Sequence, residues 1–261
     1  MQNNIFSGLF VGQNLVTLKE VGSTNNFLKE LLSNSKPVAE GTVIMAESQY
    51  AGRGQQQNRW FSEAGKNLTF SLLLNPVFLP LMQQFELTRV VSLGVVSALQ
   101  EVTGLPIQIK WPNDIYCGDK KLGGILIENL VQGGLIKNSV IGIGLNINQD
   151  AFPDDLPNAI SLRQILHRDY DLKILLAEIC SHIEAWYLKL KAGKGKELKE
   201  QYLHNLYRLN QASYFKADEL IFKGTITGVR DNGLLIMNTE TGEKEFNLKQ
   251  IQFLMNHTPE I

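Results

Sequence analysis

Cysteine is scarce. Only Cys117 and Cys180 occur, far apart and without metal-ligand spacing. The simplest reading is a reduced, cytoplasmic protein with both thiols free. His167, His182, His204 and His257 form no ligand pair, so surface or helix-face roles are expected for them. Excess charge of either sign is absent, with 25 basic residues against 26 acidic ones. No basic field is available for non-specific nucleic-acid binding, so an anionic ligand must be met by a few local cations. The N-terminus, Met1-Gln2-Asn3-Asn4, lacks the charged and apolar regions of a signal peptide. No apolar run approaches bilayer-spanning length, and no membrane partner is expected. Internal repeats and low-complexity segments are also missing.

What remains is an ordinary globular balance in 261 residues, enough for one large domain or a large one plus a small one. Residues 8–20 alternate and read as a strand leading to Val21-Gly22-Ser23-Thr24-Asn25. Ser23 or Thr24 can cap a helix with Phe27, Leu28, Leu31 and Leu32 on one face, ending before Pro37. Capping needs one side chain, which leaves two for another task. Gly41–Glu47 reads as a buried strand that runs into a polar stretch, Ser48 to Trp60. There two glycines flank Arg53. Glycine permits close backbone approach, and arginine can grip a carboxylate or phosphate bidentately. Trp60 offers a flat surface for a base or for the core.

Leu68–Leu74 is a strand stopped by Asn75-Pro76, and the period turns helical from Gln84 to Val102, with Gly104 as its stop. Ile107–Trp111 and Gly124–Leu130 are strands around a polar turn, Lys110-Trp111-Pro112-Asn113-Asp114, followed by Lys120-Lys121. An amide, a carboxylate and several lysines between apolar runs suit a site that holds an anion and leaves one carboxylate for a cation or proton. Gln132-Gly133-Gly134 turns the chain into the strand Ser139–Leu145. Gly142 and Gly144 weaken that strand unless something packs close against its backbone. Asp150–Pro157 reads as an acidic loop, Asp171 as the cap of a long helix, and a second helix continues to about Tyr207. Ile221–Val229, Leu234–Met237 and Glu245–Leu248 read as strands with turns at Asp231-Asn232-Gly233 and Thr241-Gly242, suggesting a small appended barrel.

Five motifs, Ser23-Thr24-Asn25, Gln49 with Gly52-Arg53-Gly54 and Trp60, Lys110-Trp111-Pro112-Asn113-Asp114, Lys121 to Leu126, and Gly144 to Asn148, together resemble the biotin–protein ligases. The resemblance implies an α+β fold. A mixed sheet with flanking helices, akin to class II aminoacyl-tRNA synthetases, would span residues 1–207, and a small SH3-like barrel 208–261. It implies an ATP- and magnesium-dependent ligase that forms biotinyl-5'-AMP and transfers biotin to a lysine of a carboxylase's biotin carboxyl carrier domain, as a monomer or homodimer. Ser23, Thr24, Asn25, Gln49, Gly52, Arg53, Gly54, Gln55, Lys121, Gly123 and Gly124 would contact biotin. Arg53, Trp60, Lys110, Asn113, Lys121 and Asn146 would contact the nucleotide. Arg53, Lys110, Lys121 and Asp114 would carry the catalysis, with Asp114 also facing magnesium. Two residues depart from the family's usual loop, Gln55 in place of a second arginine and Gln57 in place of a glycine. Gln55 brings no charge, so a looser grip on the adenylate is expected unless Arg59 compensates. The residues before Ser23 are too few for the family's helix-turn-helix domain, and no repressor function is expected.

Overall fold

The computed structural model of the chain describes residues 6–34, 36–55, 58–248 and 250–254. Gln57 and His257 lie outside the described residues. Seven strands form the larger sheet: β1 (Leu15–Val21), β2 (Val43–Gln49), β3 (Leu68–Leu74), β4 (Ile107–Lys110), β5 (Asp114–Cys117), β6 (Lys120–Gln132) and β7 (Leu135–Leu145). Their order is β1-β2-β3-β7-β6-β5-β4, with β1 and β2 parallel and the other pairs antiparallel. This is the mixed sheet that the family resemblance implies.

Alternation along the strands separates two faces. Val43, Met45, Phe70, Leu72, Ile141, Ile143 and Ile125 point into the main core, beneath α2 (Phe85–Thr103) and α4 (Leu172–Lys191). Ile44, Leu73 and Val140 point the other way, onto Leu28 of α1 (Thr24–Ser33). The helix boundaries have local causes. Gly104 ends α2 in the left-handed conformation at φ 70°, and Asp171 caps α4 by accepting from the Lys173 and Ile174 amides. The interface of α2 with α4 needs Gly94, where a Cβ would lie 2.7 Å from Ile183 Cα. None of the helices among the described residues is long and apolar enough to cross a membrane.

The structure corrects several sequence readings. Residues 8–13 are turns, and β1 starts at Leu15. The amides of Leu9, Phe10 and Val11 donate to the buried Glu184 carboxylate of α4 instead of to a ladder. Asp114 begins a strand, and the turn before it spans only Trp111 to Asn113. A short helix α3 (Leu162–Leu166) follows the acidic loop, closed by a capping box between Ser161 and Gln164. After α5 (Gly195–His204) come β8 (Ala212–Ala217), β9 (Leu220–Val229), β10 (Leu235–Thr239), β11 (Gly242–Phe246) and β12 (Gln252–Phe253). They form an antiparallel sheet in the order β11-β10-β9-β8-β12. Among the described residues β11 and β12 remain its two edges, so the expected barrel is seen as an open sheet.

The two sheets share one apolar cluster. Trp111 Nε1 donates to the Gly233 carbonyl at 2.9 Å. Arg89 of α2, 1% exposed, pairs with Glu86 and reaches the Arg230 carbonyl at 3.1 Å and Asp231 at 3.4 Å. Removing Arg89 would leave the Glu86 carboxylate without its cation in a site where burial already raises its pKa. Arg89→Met is expected to cost about 2–4 kcal/mol in urea unfolding, and adding Glu86→Leu to recover part of that loss.

Candidate active site

The cleft lies on the α1 side of the sheet and encloses about 410 Å³. Its floor comes mainly from Gly124 and Leu126 of β6 and Gly142 and Gly144 of β7, on the side of the sheet away from the main core, with Phe70, Ile125 and Ile143 reaching it from the core layer. β2 ends at Gln49, whose Oε1 accepts from the Thr24 amide at 2.7 Å and from Thr24 Oγ1 at 3.1 Å. Gln49 therefore satisfies the start of α1, while Ser23 stands at the N-cap position without a side-chain cap bond. Ser71 Oγ lies 2.7 Å from Thr24 Oγ1 and 2.5 Å from Asn25 Oδ1. Asn25 Nδ2 donates to Glu128 at 2.8 Å.

The two glycines of β7 have the close neighbours their position calls for. A Cβ on Gly142 would lie 2.5 Å from Asn25 Oδ1, and one on Gly144 would lie 2.6 Å from Trp60 Cζ2. Trp60 thus lies directly against bare backbone, and among the described residues its buried Nε1 has no hydrogen-bond partner. The polar loop before it is tied into a narrow hairpin. Gly54 N donates to the Asn58 carbonyl at 2.7 Å, and Trp60 N to the Gly52 carbonyl at 3.0 Å. Arg53 extends from this hairpin to Glu128 of β6, with Nη2 at 2.6 Å from Oε2. Gln55 and Arg59 both line the cleft beside it.

The hairpin β4–β5 supplies the other charges. Lys110 and Asp114 are cross-strand partners on either side of the Trp111–Pro112 turn. Asp114 Oδ1 is 2.6 Å from Lys121 Nζ. Among the described residues Lys110 has no such carboxylate contact. Its Nζ donates to Tyr116 Oη at 2.9 Å and lies over the rings of Tyr116 and Phe253, 4.7 and 5.0 Å from their centroids. Burial lowers its pKa to about 8; Lys121 and Arg208 add to the effect and Asp114 opposes it. Among the described residues no three Asp, Glu, His or Cys side chains come together as a metal cage. Asp114 is a single carboxylate in the cleft, a donor set that suits magnesium carried mainly by phosphates.

Most of the expected residues line this one cleft. Asn146 lies next door, in a pocket of about 280 Å³ between Trp60, Phe61, Tyr116 and the loop from Phe152 to Ala159. Gly52 and Gly123 line neither. A Cβ on Gly52 would lie 2.6 Å from the Trp60 carbonyl, and one on Gly123 2.5 Å from the Gly144 carbonyl. Both serve backbone packing. Asn113 lines the cleft, but its amide nitrogen donates to the Ile125 carbonyl, fixing the hairpin to β6.

Sequence reasoning missed Ser71, Lys29, Glu128, Phe253 and the Phe152–Asn158 wall. The two hydroxyls of the otherwise apolar strand Leu68–Leu74, Thr69 and Ser71, were a usable signal for Ser71. Gly144→Ala is expected to expel Trp60 from its seat, seen as a red-shifted tryptophan emission, with unchanged far-ultraviolet circular dichroism.

A family model, the biotin/lipoate A/B protein ligase family, matches residues 18–146. The bifunctional ligase/repressor BirA of Bacillus subtilis is 33% identical over 247 residues, covering 93% of this chain and 74% of that protein. The biotin–[acetyl-CoA-carboxylase] ligase of Paracoccus denitrificans is 24% identical over 90% of this chain and 99% of its own. The biotin protein ligase of Aquifex aeolicus, solved with biotin and ATP, superposes with a TM-score of 0.78 at 32% identity, covering 94% of this chain and all of that one. The cleft, its glycine floor and its cations therefore sit in a chain that belongs to the biotin–protein ligase family.

Proposed function

We propose that this chain is an ATP-dependent biotin–protein ligase: it activates biotin as biotinyl-5'-AMP and transfers it to a lysine of a biotin carboxyl carrier domain. The observation that carries the proposal is the convergence of Arg53, Lys110 and Lys121 on one cleft floored by Gly124, Gly142 and Gly144. In the first step a biotin carboxylate oxygen attacks the α-phosphorus of ATP, and pyrophosphate leaves. Two anions must approach, and three cations at one site lower that barrier by fixed electrostatics and positioning. Magnesium, when bound, neutralises phosphate charge, and Asp114 is the residue that would hold it. In the second step the carrier's lysine amine attacks the anhydride carbonyl, and AMP leaves. The amine must shed a proton, and Asp114 is assigned to orient it or to accept that proton.

The biotin end lies toward Ser23, Thr24, Asn25 and Gln49. The nucleotide end lies toward Trp60, Asn113 and the neighbouring pocket that holds Asn146. Arg53 and Lys121 stand between them, at the reacting groups. The hairpin that carries Arg53, Gly54 and Gln55 covers the acyl adenylate against water. We read the C-terminal sheet as an SH3-like unit, with the boundary after residue 207. The free thiols Cys117 and Cys180 fit a reducing, cytoplasmic setting.

The deciding assay mixes the chain with ATP, magnesium, a carrier domain and either biotin or lipoate, and reads the carrier by intact mass. One biotin per carrier, dependent on ATP, is the expected result; use of lipoate alone would overturn the substrate assignment. A second expectation concerns pH. Lys110 loses its charge as pH rises through about 8, so the rate of the first step should fall across that range. Phe253→Ala returns water to the ammonium and should move the break to higher pH, measured by pyrophosphate release across a pH series.

A further inference from the structure

Glu128 is the carboxylate on which the cleft's donors meet. Lys29 Nζ lies 2.9 Å from Oε1, and Asn25 Nδ2 and Arg53 Nη2 lie 2.8 and 2.6 Å from Oε2. Two of these donors stand on α1, and the third comes from the hairpin over the cleft. One anion thus faces two cations. Burial pushes its pKa up, but the bonds from Lys29, Asn25 and Arg53 outweigh burial and hold it below the ordinary value.

This arrangement occupies Arg53, the guanidinium that the functional reading sets on the biotin carboxylate and the adenylate phosphate. We propose that Glu128 is the resting partner of Arg53, an internal anion that competes with the ligand's anionic groups for that guanidinium, and that Lys29 makes the exchange possible. The inference rests on the assignment of Arg53 to the ligand.

The physical argument is one of compensation. A half-buried carboxylate stripped of its only cation is costly, and such a cost would hold Arg53 in place. Here Lys29 and Asn25 stay on Glu128 when Arg53 leaves. The cluster passes from one net positive charge to none, and one full positive charge goes to the ligand. The side chains of Lys29, Arg53 and Glu128 are 33%, 38% and 26% exposed, so solvent screens the pairs and the exchange is shallow.

The competing role for Glu128 is a brace that fixes α1 to β6. The two roles predict different signs. With a resting partner, Glu128→Gln releases Arg53 and tightens biotin binding about threefold, lowering KM for biotin. Lys29→Met makes Arg53 the sole cation on Glu128 and weakens binding about threefold. The double variant follows Glu128→Gln. With a brace, both single variants weaken binding, and that outcome overturns the proposal.

A second readout needs no biotin. In the ligand-free full chain, phenylglyoxal modification of Arg53, followed by peptide mass spectrometry, should be faster in Glu128→Gln and slower in Lys29→Met. Equal rates in all variants would also overturn the proposal. A chain that fails to bind biotin would sink the functional reading, while the phenylglyoxal result would still decide whether Glu128 restrains Arg53.

Discussion

Three neighbouring strands, β3, β7 and β6, send alternate side chains to opposite faces, and a cleft can lie over them only where one face is kept small or polar. The inward positions, such as Phe70, Ile143 and Ile125, are large and close the core under α2 and α4. The outward positions carry Ser71, Gly142, Gly144 and Gly124. A one-residue slip of any strand would exchange the two sets, burying hydroxyl and bare backbone while lifting branched side chains into the cleft. Register, core and site are thus one constraint. It also explains why glycine occurs where a strand would otherwise reject it. Asn25 and Trp60 lie directly on the backbone of β7, at distances that leave no room for a methyl group.

Three of the cations at this cleft are each restrained differently. Lys121 rests on Asp114, Arg53 rests on Glu128, and Lys110 is wedged between aromatic rings. In a chain with nearly balanced charge, no general field draws anions in, so the local arrangement must. Two cations lent to internal carboxylates keep the empty site from carrying bare like charges side by side. The third keeps its charge at the cost of a lowered pKa. Fixed charges of this kind need little reorganisation when a reacting phosphate arrives.

Elements whose causes are local were legible in the sequence. β3 was read at its observed bounds because an apolar run meets Asn75-Pro76, and α2 and α4 were read from their period and from Gly104 and Asp171. Elements whose partners are remote were not. The segment before β1 looked like a strand because its pattern alternates; its amides instead belong to Glu184, more than a hundred and seventy residues away. β5 read as part of a turn because Asp114 looks like a turn residue, although its backbone pairs with both Lys110 and Gly124. The same limit applied within the site. The motifs named most of the lining, whereas Glu128 and Phe253 gained their roles only when β6 and β12 were brought to Arg53 and Lys110.

The C-terminal sheet is more than an appendage by this measure. Among the described residues β12 is two residues long and pairs with β8 alone, yet it places Phe253 over the Lys110 ammonium. The contact is possible because Trp111, the next residue after Lys110, anchors the same hairpin to the β9–β10 turn through Gly233. Arg89 ties that turn to α2 from behind. The desolvation that sets the Lys110 charge is therefore completed by a strand some 140 residues downstream and held in register by a buried arginine remote from the cleft. Loosening the sheet-to-sheet junction would admit water to Lys110 before it unfolded either sheet, so the chemistry at the central hairpin depends on the docking of the two sheets as directly as on the residues that line it.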